Sequence, residues 1–144
     1  MAGGNVAGEA GAGQGPQGRR ALLLDELDAR RGLSGTARAC LAALLEGIAA
    51  PPFEPCITRR GYFGDVLRWR REERPWLDAL PARDWVLFYF ARAALQVSGF
   101  HFAAISAAFP EAVERDDGIV KIRLRDRARA EAMAAFVTAR LARP

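Results

Sequence analysis

The residue types most often used in catalysis and metal binding are few in this chain of 144 residues. The single histidine, His101, stands between Phe100 and Phe102, and the two cysteines, Cys40 and Cys56, are far apart in sequence. Nucleophilic catalysis needs a nucleophile, a base and an orienting group within hydrogen-bond reach. A zinc site needs about four ligands at suitable spacing. Because the sequence shows neither set, we predict that the protein is not an enzyme and binds no metal.

Phosphate-binding signatures give no better indication of a cofactor. The only lysine, Lys121, is not part of a Walker A sequence. Gly13, Gly15 and Gly18 match the spacing of a dinucleotide-binding turn, but that turn must follow a β-strand. The glycine-rich segment before Gly13 is not a strand sequence, so we predict no cofactor.

Positive charge is concentrated at the C-terminal end of the chain. Residues 119–144 carry a net charge of +5, whereas residues 1–118 carry −1. The candidate contact residues are Lys121, Arg123, Arg125, Arg127 and Arg129. Such cations bind phosphates and carboxylates, so the asymmetry permits an anionic partner, either nucleic acid or an acidic protein surface, without requiring one. Arginine accounts for almost all of the basic residues and alanine is very common, as expected of a GC-rich bacterial genome.

The strand that carries these cations is itself predicted from a turn. Asp116, Asp117 and Gly118 separate two β-compatible runs over 112–115 and 119–125, which is a strong hairpin signal. In the second run apolar side chains alternate with basic ones, so one face is expected to be buried and the other cationic. Outward charges also protect exposed strand edges from pairing with other chains. Edge protection without any ligand is therefore the preferred explanation of this basic strand, and contact with nucleic acid is the alternative.

Hydrophobic periodicity predicts helices in the rest of the chain. The predicted helices cover residues 19–31, 34–50, 58–74, 83–97, 100–109 and 126–141. The fold class expected is α+β and mostly α: a helical bundle of about five helices with a C-terminal β-hairpin and a final amphipathic helix. Residues 1–18 are predicted to form a disordered Gly/Ala-rich tail, and residues 19–144 a single α-rich globular domain.

Residues 83–125 resemble a winged helix-turn-helix. Gly99 lies between two predicted helices, Ile105 follows it six residues later, and the hairpin stands where a wing would follow. The second helix would present His101, Phe102, Ala103, Ser106 and Ala107, none of which is a long cationic or amide side chain suited to DNA. DNA binding would therefore depend on the basic strand.

The last predicted helix offers a second kind of surface. Met133, Phe136, Val137 and Leu141 recur at helical spacing and form a candidate docking face for a protein partner, which could be a second copy of the chain. We predict a small soluble, non-catalytic binding or adaptor protein that acts by protein–protein interaction. The alternative is a winged-helix DNA-binding transcriptional regulator. No apolar run is long enough to span a membrane and the N-terminus lacks a secretory signal pattern, so we expect no membrane partner and a cytoplasmic location.

Overall fold

The computed structural model describes residues 15–48 and 52–141. In this part of the chain, six antiparallel strands form one sheet in the order β1-β2-β3-β4-β6-β5. The strands are β1 (Glu54–Arg59), β2 (Asp65–Arg71), β3 (Arg74–Pro81), β4 (Val86–Phe90), β5 (Val113–Glu114) and β6 (Val120–Leu124). The helices are α1 (Pro16–Arg31), α2 (Gly35–Gly47), α3 (Arg92–Leu95), α4 (Phe102–Ala108) and α5 (Arg127–Leu141). Two short 3-10 turns cover Gly61–Phe63 and Ser98–Phe100.

The predicted helical bundle is wrong, because the sheet is central and is not a C-terminal hairpin. The helix predicted over residues 58–74 is replaced by the end of β1, a 3-10 turn and β2. The helix predicted over 83–97 is replaced by β4 and the single helical turn α3. The winged helix-turn-helix resemblance over 83–125 therefore fails, since its first helix is a strand in the middle of the sheet.

The segment that became β4 is apolar at successive positions. A continuous apolar run is found in a central strand whose side chains are buried on both faces of the sheet. It is also found in a buried helix, so the run alone does not distinguish a strand from a helix. Phe88 and Phe90 are fully buried on the side of the helices, while Tyr89 is buried on the opposite side. The aromatic and β-branched content of the run agrees with the strand.

Backbone geometry at two glycines shows why β1 and β2 stand in place of the helix predicted over 58–74. Gly61 and Gly64 adopt positive φ angles of 54° and 90°, which an α-helix does not contain. Within β2, Leu67 and Trp69 are buried on the helix side, while Arg68 lies on the other face. This alternation has the period of a strand.

Several local predictions are confirmed. Helix α1 ends at Gly32, whose φ of 66° makes it a left-handed C-cap. Helix α2 begins after Ser34, whose hydroxyl accepts a hydrogen bond from the Ala37 amide at 3.1 Å. The predicted hairpin is present as β5 and β6, and α4 and α5 lie where helices were expected. Most of the predicted tail lies outside the described residues, and its last residues, 16–18, belong to α1.

The main core lies between the helices and one face of the sheet, which we call the inner face. Phe88 and Phe90 of β4 contact each other with ring centroids 5.4 Å apart. Phe136 of α5 packs edge-on against both Phe90 and Phe109. Helix α5 approaches α2 so closely that a Cβ added at Gly47 would lie 2.5 Å from the Cβ of Ala134.

This packing corrects the predicted docking face of the last helix. Met133 and Val137 are fully buried, Phe136 is 8% exposed, and Leu141 packs against the same core while partly exposed. Their helical spacing is that of a helix covering its own sheet. The four side chains therefore face the core of the chain and do not form a surface for a partner.

Candidate binding site on the outer face of the sheet

The face of the sheet opposite the main core, which we call the outer face, carries a row of side chains that crosses all six strands. Antiparallel register places one residue of each strand in this row, since directly paired residues point to the same face. In spatial order the row consists of Cys56, Arg68, Asp78, Tyr89, Lys121 and Val113. Most of these residues are polar or ionisable, so the outer face differs chemically from the inner face.

An ion-pair cluster occupies the first half of the row. The Asp78 carboxylate, on a residue only 4% exposed, accepts hydrogen bonds from the guanidinium groups of Arg60 at 2.6 Å and Arg68 at 2.8 and 3.0 Å. The hydrogen bonds to Asp78 raise the pKa of Arg68 above its ordinary value, although burial opposes this. The Arg60 guanidinium also lies 4.3 Å from the centre of the Tyr89 ring. Because these charges satisfy one another, the cluster most simply stabilises the sheet.

A small apolar cluster separates this ion-pair cluster from the second half of the row. Val66, Leu80 and Tyr89 are buried on the outer face, and Leu87 and Ile119 pack against them while partly exposed. The outer face is thus apolar at its centre and charged on both sides. Leu87 continues the apolar surface toward β6, because it is the register partner of Arg123.

A cleft of about 140 Å³ opens beside Leu87, at the end of the sheet where β5 stops. Its lining combines three cations with one carboxylate and two apolar side chains: Leu87, Glu111, Val113, Lys121, Arg123 and Arg125. We call it the cationic cleft. Within the described part of the chain, Lys121, Arg123 and Arg125 form no salt bridge with another side chain. Lys121 and Arg123 therefore remain available to an external anion. Arg125 also interacts with the Glu111 carboxylate, whose pKa is lowered mainly by its hydrogen bonds with Arg129 and further by the charge of Arg125.

Trp85 holds two of these cations in place. The guanidinium carbons of Arg123 and Arg125 lie 4.4 Å and 5.8 Å from the centre of its ring. Each such contact contributes about 0.5–1 kcal/mol at an exposed site. The ring contacts limit the freedom of both side chains, neither of which forms a salt bridge in the described structure. Ordering before binding reduces the entropy that a ligand must overcome.

The other two predicted cations are already paired. Arg127 binds Glu46 at 2.8 Å and Glu131 at 3.0 Å, linking α5 to α2. Arg129 forms a two-point contact with Glu111, at 2.7 and 2.9 Å, and this hydrogen bonding is the main reason that the pKa of Glu111 lies below its ordinary value. Of the five predicted contact residues, the structure thus brings together Lys121, Arg123 and Arg125 and assigns Arg127 and Arg129 to intramolecular ion pairs.

The remaining chemically active side chains do not assemble into a site. His101 caps α4, where its Nδ1 accepts a hydrogen bond from the Ala104 amide at 3.2 Å. Burial raises the pKa of the Cys40 thiol to about 11, and Cys56 lies on a different face of the molecule, in the outer row. In the residues described, no group of three or more histidine, cysteine, aspartate or glutamate side chains is close enough to hold a metal ion.

The comparisons with known proteins do not indicate a function for this chain. No family model, curated protein or solved structure matches the chain. None of the helices in the described ranges has both the length and the apolar character required to cross a bilayer. The predicted cytoplasmic location stays a prediction.

Sequence reasoning found the cations of the cleft and missed its other components. Leu87 lies in the segment 83–97 that hydrophobic periodicity predicts as a helix, as does Trp85, and Glu111 precedes the predicted hairpin without any pattern that relates it to the cations. A strand assignment for residues 86–90 would have put Leu87 on the same face as Arg123. Nothing in the local sequence indicates that Trp85 reaches β6, since their contact depends on the pairing of β4 with β6.

Proposed function

We propose that the protein is a non-catalytic binding protein whose cationic cleft receives an acidic segment of a partner protein. The observation that carries the proposal is the grouping of Lys121, Arg123 and Arg125 around one cleft, where none of the three forms a salt bridge among the residues described. Most other arginines for which contacts are described bind a carboxylate or a backbone carbonyl. Cations left unpaired beside an apolar surface are typical of sites for anionic ligands.

The lining of the cleft favours a protein segment over nucleic acid. Leu87 and Val113 give it apolar surface that acidic peptides with aliphatic side chains can cover. The Glu111 carboxylate at its border repels a continuous phosphate backbone more than it repels a segment whose charges are spaced apart. Three phosphate contacts would also support only weak DNA binding that falls steeply with salt.

Fluorescence anisotropy with two labelled peptides tests the proposal. The first has the sequence Ser-Glu-Val-Glu-Val-Glu-Ser, and the second replaces each glutamate by lysine. We expect the acidic peptide to bind and to weaken as salt rises from about 50 to 200 mM, because charge attraction is screened. The lysine peptide should show no binding at the same protein concentration. Equal binding of the two peptides, or absence of binding by both, would overturn the proposal.

Two charge-reversal variants locate the contact. K121E/R123E changes two cations of the cleft, and R59E/R74E makes the same change in net charge at two exposed arginines that lie outside it. The cleft variant should lose acidic-peptide affinity by at least about tenfold, whereas the control should lose less than about threefold through its effect on net charge alone. Equal losses would show that the peptide responds to overall charge and not to the cleft.

A labelled DNA duplex of about 12 base pairs serves as the competing probe in the same assay. Under the proposal it binds more weakly than the acidic peptide at about 150 mM salt. Tighter binding of the duplex that is abolished by K121E/R123E would assign the cleft to nucleic acid and reject the protein partner.

A further inference from the structure

Two aromatic side chains project from the turn that joins β1 to β2, which we call the aromatic turn (residues 61–64). Tyr62 is 93% exposed and Phe63 is 52% exposed, although most aromatic side chains of the described residues lie in the core. The two ring centroids are 5.2 Å apart, so Phe63 supports one side of the Tyr62 ring and the rest of that ring is open to solvent. Exposed apolar side chains that lie together mark binding surfaces, whereas isolated ones do not.

The backbone of the aromatic turn is held by a residue of α1. The Arg31 guanidinium donates hydrogen bonds to the carbonyl of Phe63 at 2.7 Å and to the carbonyl of Pro81, in β3, at 3.2 Å. Gly64 leaves room for this guanidinium, since a Cβ at that position would lie 2.7 Å from Arg31 Nη1. The two rings are therefore presented on an ordered backbone, which reduces the entropy lost when a ligand binds.

Positive charge lies beside the two rings. Arg59, the last residue of β1, is exposed, and neither Arg59 nor Arg31 forms a salt bridge within the described residues. Asp65 is the one carboxylate in residues 59–65, and it lies 3.5 Å from the guanidinium of Arg30. An anion at the turn therefore meets two cations that have no carboxylate partner, and the local carboxylate is already paired.

Exposed rings beside cations are the components of a site for single-stranded nucleic acid, in which bases stack on aromatic faces and cations contact phosphates. We propose that the aromatic turn binds single-stranded nucleic acid, with a base stacked on Tyr62 and a phosphate beside Arg59. The cationic cleft lies toward the other edge of the sheet, among β4, β6 and β5. The two sites are therefore separate, and this inference does not depend on the proposed function.

A nucleic-acid duplex and a lipid bilayer fit the aromatic turn less well. The bases of a duplex are stacked on one another, whereas those of a single strand can turn outward onto a ring. A bilayer needs more apolar area than two rings supply, because even one myristoyl chain gives only marginal membrane binding. Leu22, which is also exposed, precedes Arg31 by nine residues, about 13 Å along α1, and does not enlarge the apolar surface of the turn.

Fluorescence anisotropy with two labelled strands tests the stacking. One strand is an oligothymidylate of about 12 residues, and the other has the same phosphates on sugars that carry no bases. At about 50 mM salt we expect the thymidine strand to bind at least about tenfold more tightly, since only its bases can stack. Equal affinities, or no binding of the thymidine strand up to about 100 μM protein, would overturn the proposal.

Two aromatic variants locate the stacking surface. Y62S/F63S removes both rings from an exposed turn and should weaken binding of the thymidine strand by at least about tenfold. Y62F/F63Y keeps two aromatic rings and should bind within about twofold of wild type. Binding of the base-free strand should be the same for both variants, because the charge is unchanged. Equal affinity of wild type and Y62S/F63S for the thymidine strand would reject the turn as the stacking surface.

Two charge-reversal variants test the phosphate contact. R59E changes the cation beside the turn, and R74E makes the same change in net charge at an exposed arginine at the opposite end of the sheet. We expect R59E to lose at least about fivefold in affinity and R74E less than about twofold. Equal losses would contradict a phosphate contact at Arg59.

K121E/R123E separates this site from the cationic cleft, and it should bind the thymidine strand within about threefold of wild type. Loss of binding in this variant without loss in Y62S/F63S would place the strand in the cleft and reject the aromatic turn.

Cosedimentation with phosphatidylglycerol vesicles tests the competing surface. The proposal expects wild type and Y62S/F63S to sediment with the vesicles to the same extent. Vesicle binding that is lost in Y62S/F63S, together with equal affinities for the two labelled strands, would assign the aromatic turn to a bilayer and reject the nucleic acid.

Discussion

The inner face of the sheet contacts helices, whereas the outer face presents its side chains to solvent and to one another. On the inner face Trp69, Phe88 and Phe90 are fully buried and contact the aromatic residues of the main core. On the outer face the buried apolar side chains are few, and the ion-pair cluster around Asp78 and the three unpaired cations share the surface with them. One sheet therefore separates two tasks: the inner face supplies most of the stabilising burial, and the outer face carries charges that a partner can reach.

This difference also accounts for the position of the candidate site. A charge buried under the helices would require a partner to compensate for lost hydration. At the border of the outer face, Lys121, Arg123 and Arg125 keep contact with water and still lie beside the apolar side chain of Leu87. These cations can consequently attract an anion, and because they stay hydrated they lower the free energy of unfolding only slightly.

The largest expected effect compares adjacent residues of β4 on opposite faces. Phe88→Ala removes a fully buried ring that contacts Trp69 and Phe90, and should lower the free energy of unfolding by about 3–5 kcal/mol. Leu87→Ala, on the partly exposed outer face, should lower it by about 1 kcal/mol. Urea denaturation followed by tryptophan fluorescence measures both values. Similar losses for the two variants would contradict the assignment of the main core to the inner face.

A smaller effect is expected at the ion-pair cluster of the outer face. Asp78→Ala leaves the guanidinium groups of Arg60 and Arg68 without their common carboxylate, and should lower the free energy of unfolding by about 2–3 kcal/mol. This loss of stability is smaller than the loss for a fully buried ion pair. The two arginine side chains are 21% and 25% exposed, so water hydrates them in part when the carboxylate is removed. The control Asp84→Ala changes an exposed carboxylate and should alter stability by less than about 0.5 kcal/mol. If both variants are equally stable, the cluster does not hold the sheet.

Thiol labelling distinguishes the two sides of the sheet by their accessibility to a reagent. Cys40 is fully buried against the inner side and its pKa is raised to about 11, so at pH 8 it is almost entirely protonated and shielded from reagent. Cys56 lies in the outer row and is partly exposed. Ellman's reagent should therefore label one thiol per native chain and two after unfolding. Cys56→Ser should abolish the native reaction, while Cys40→Ser should leave it; the reverse pattern would contradict the burial of Cys40.

Sequence reasoning succeeded where structure depends on a few neighbouring residues. Ser34 and Gly32 mark helix ends because a side-chain cap and a left-handed backbone are local properties. The β5–β6 hairpin was equally visible, since Gly118 adopts the positive φ of 84° that the turn requires.

The hairpin of β2 and β3 was missed for the opposite reason. Its two-residue turn consists of Glu72 and Glu73, which adopt φ angles of 53° and 62°. Left-handed backbone costs a residue with a side chain about 1 kcal/mol or more, so glutamate is not a turn signal. The paired strands, and not the turn sequence, impose this conformation.

Local chemistry was enough to predict the helix caps, the Gly118 reversal and a strand with cations on one side, because each depends on residues close together in the chain. The tertiary structure alone decided that residues 54–90 form the middle and one edge of a sheet, and that Leu87 and Glu111 join the three cations at a cleft, two of whose arginines contact Trp85. The physical reason is that an apolar run can be buried equally well as a helix or as a strand. Pairing with strands distant in sequence selects between the two, and the same pairing determines which side chains meet.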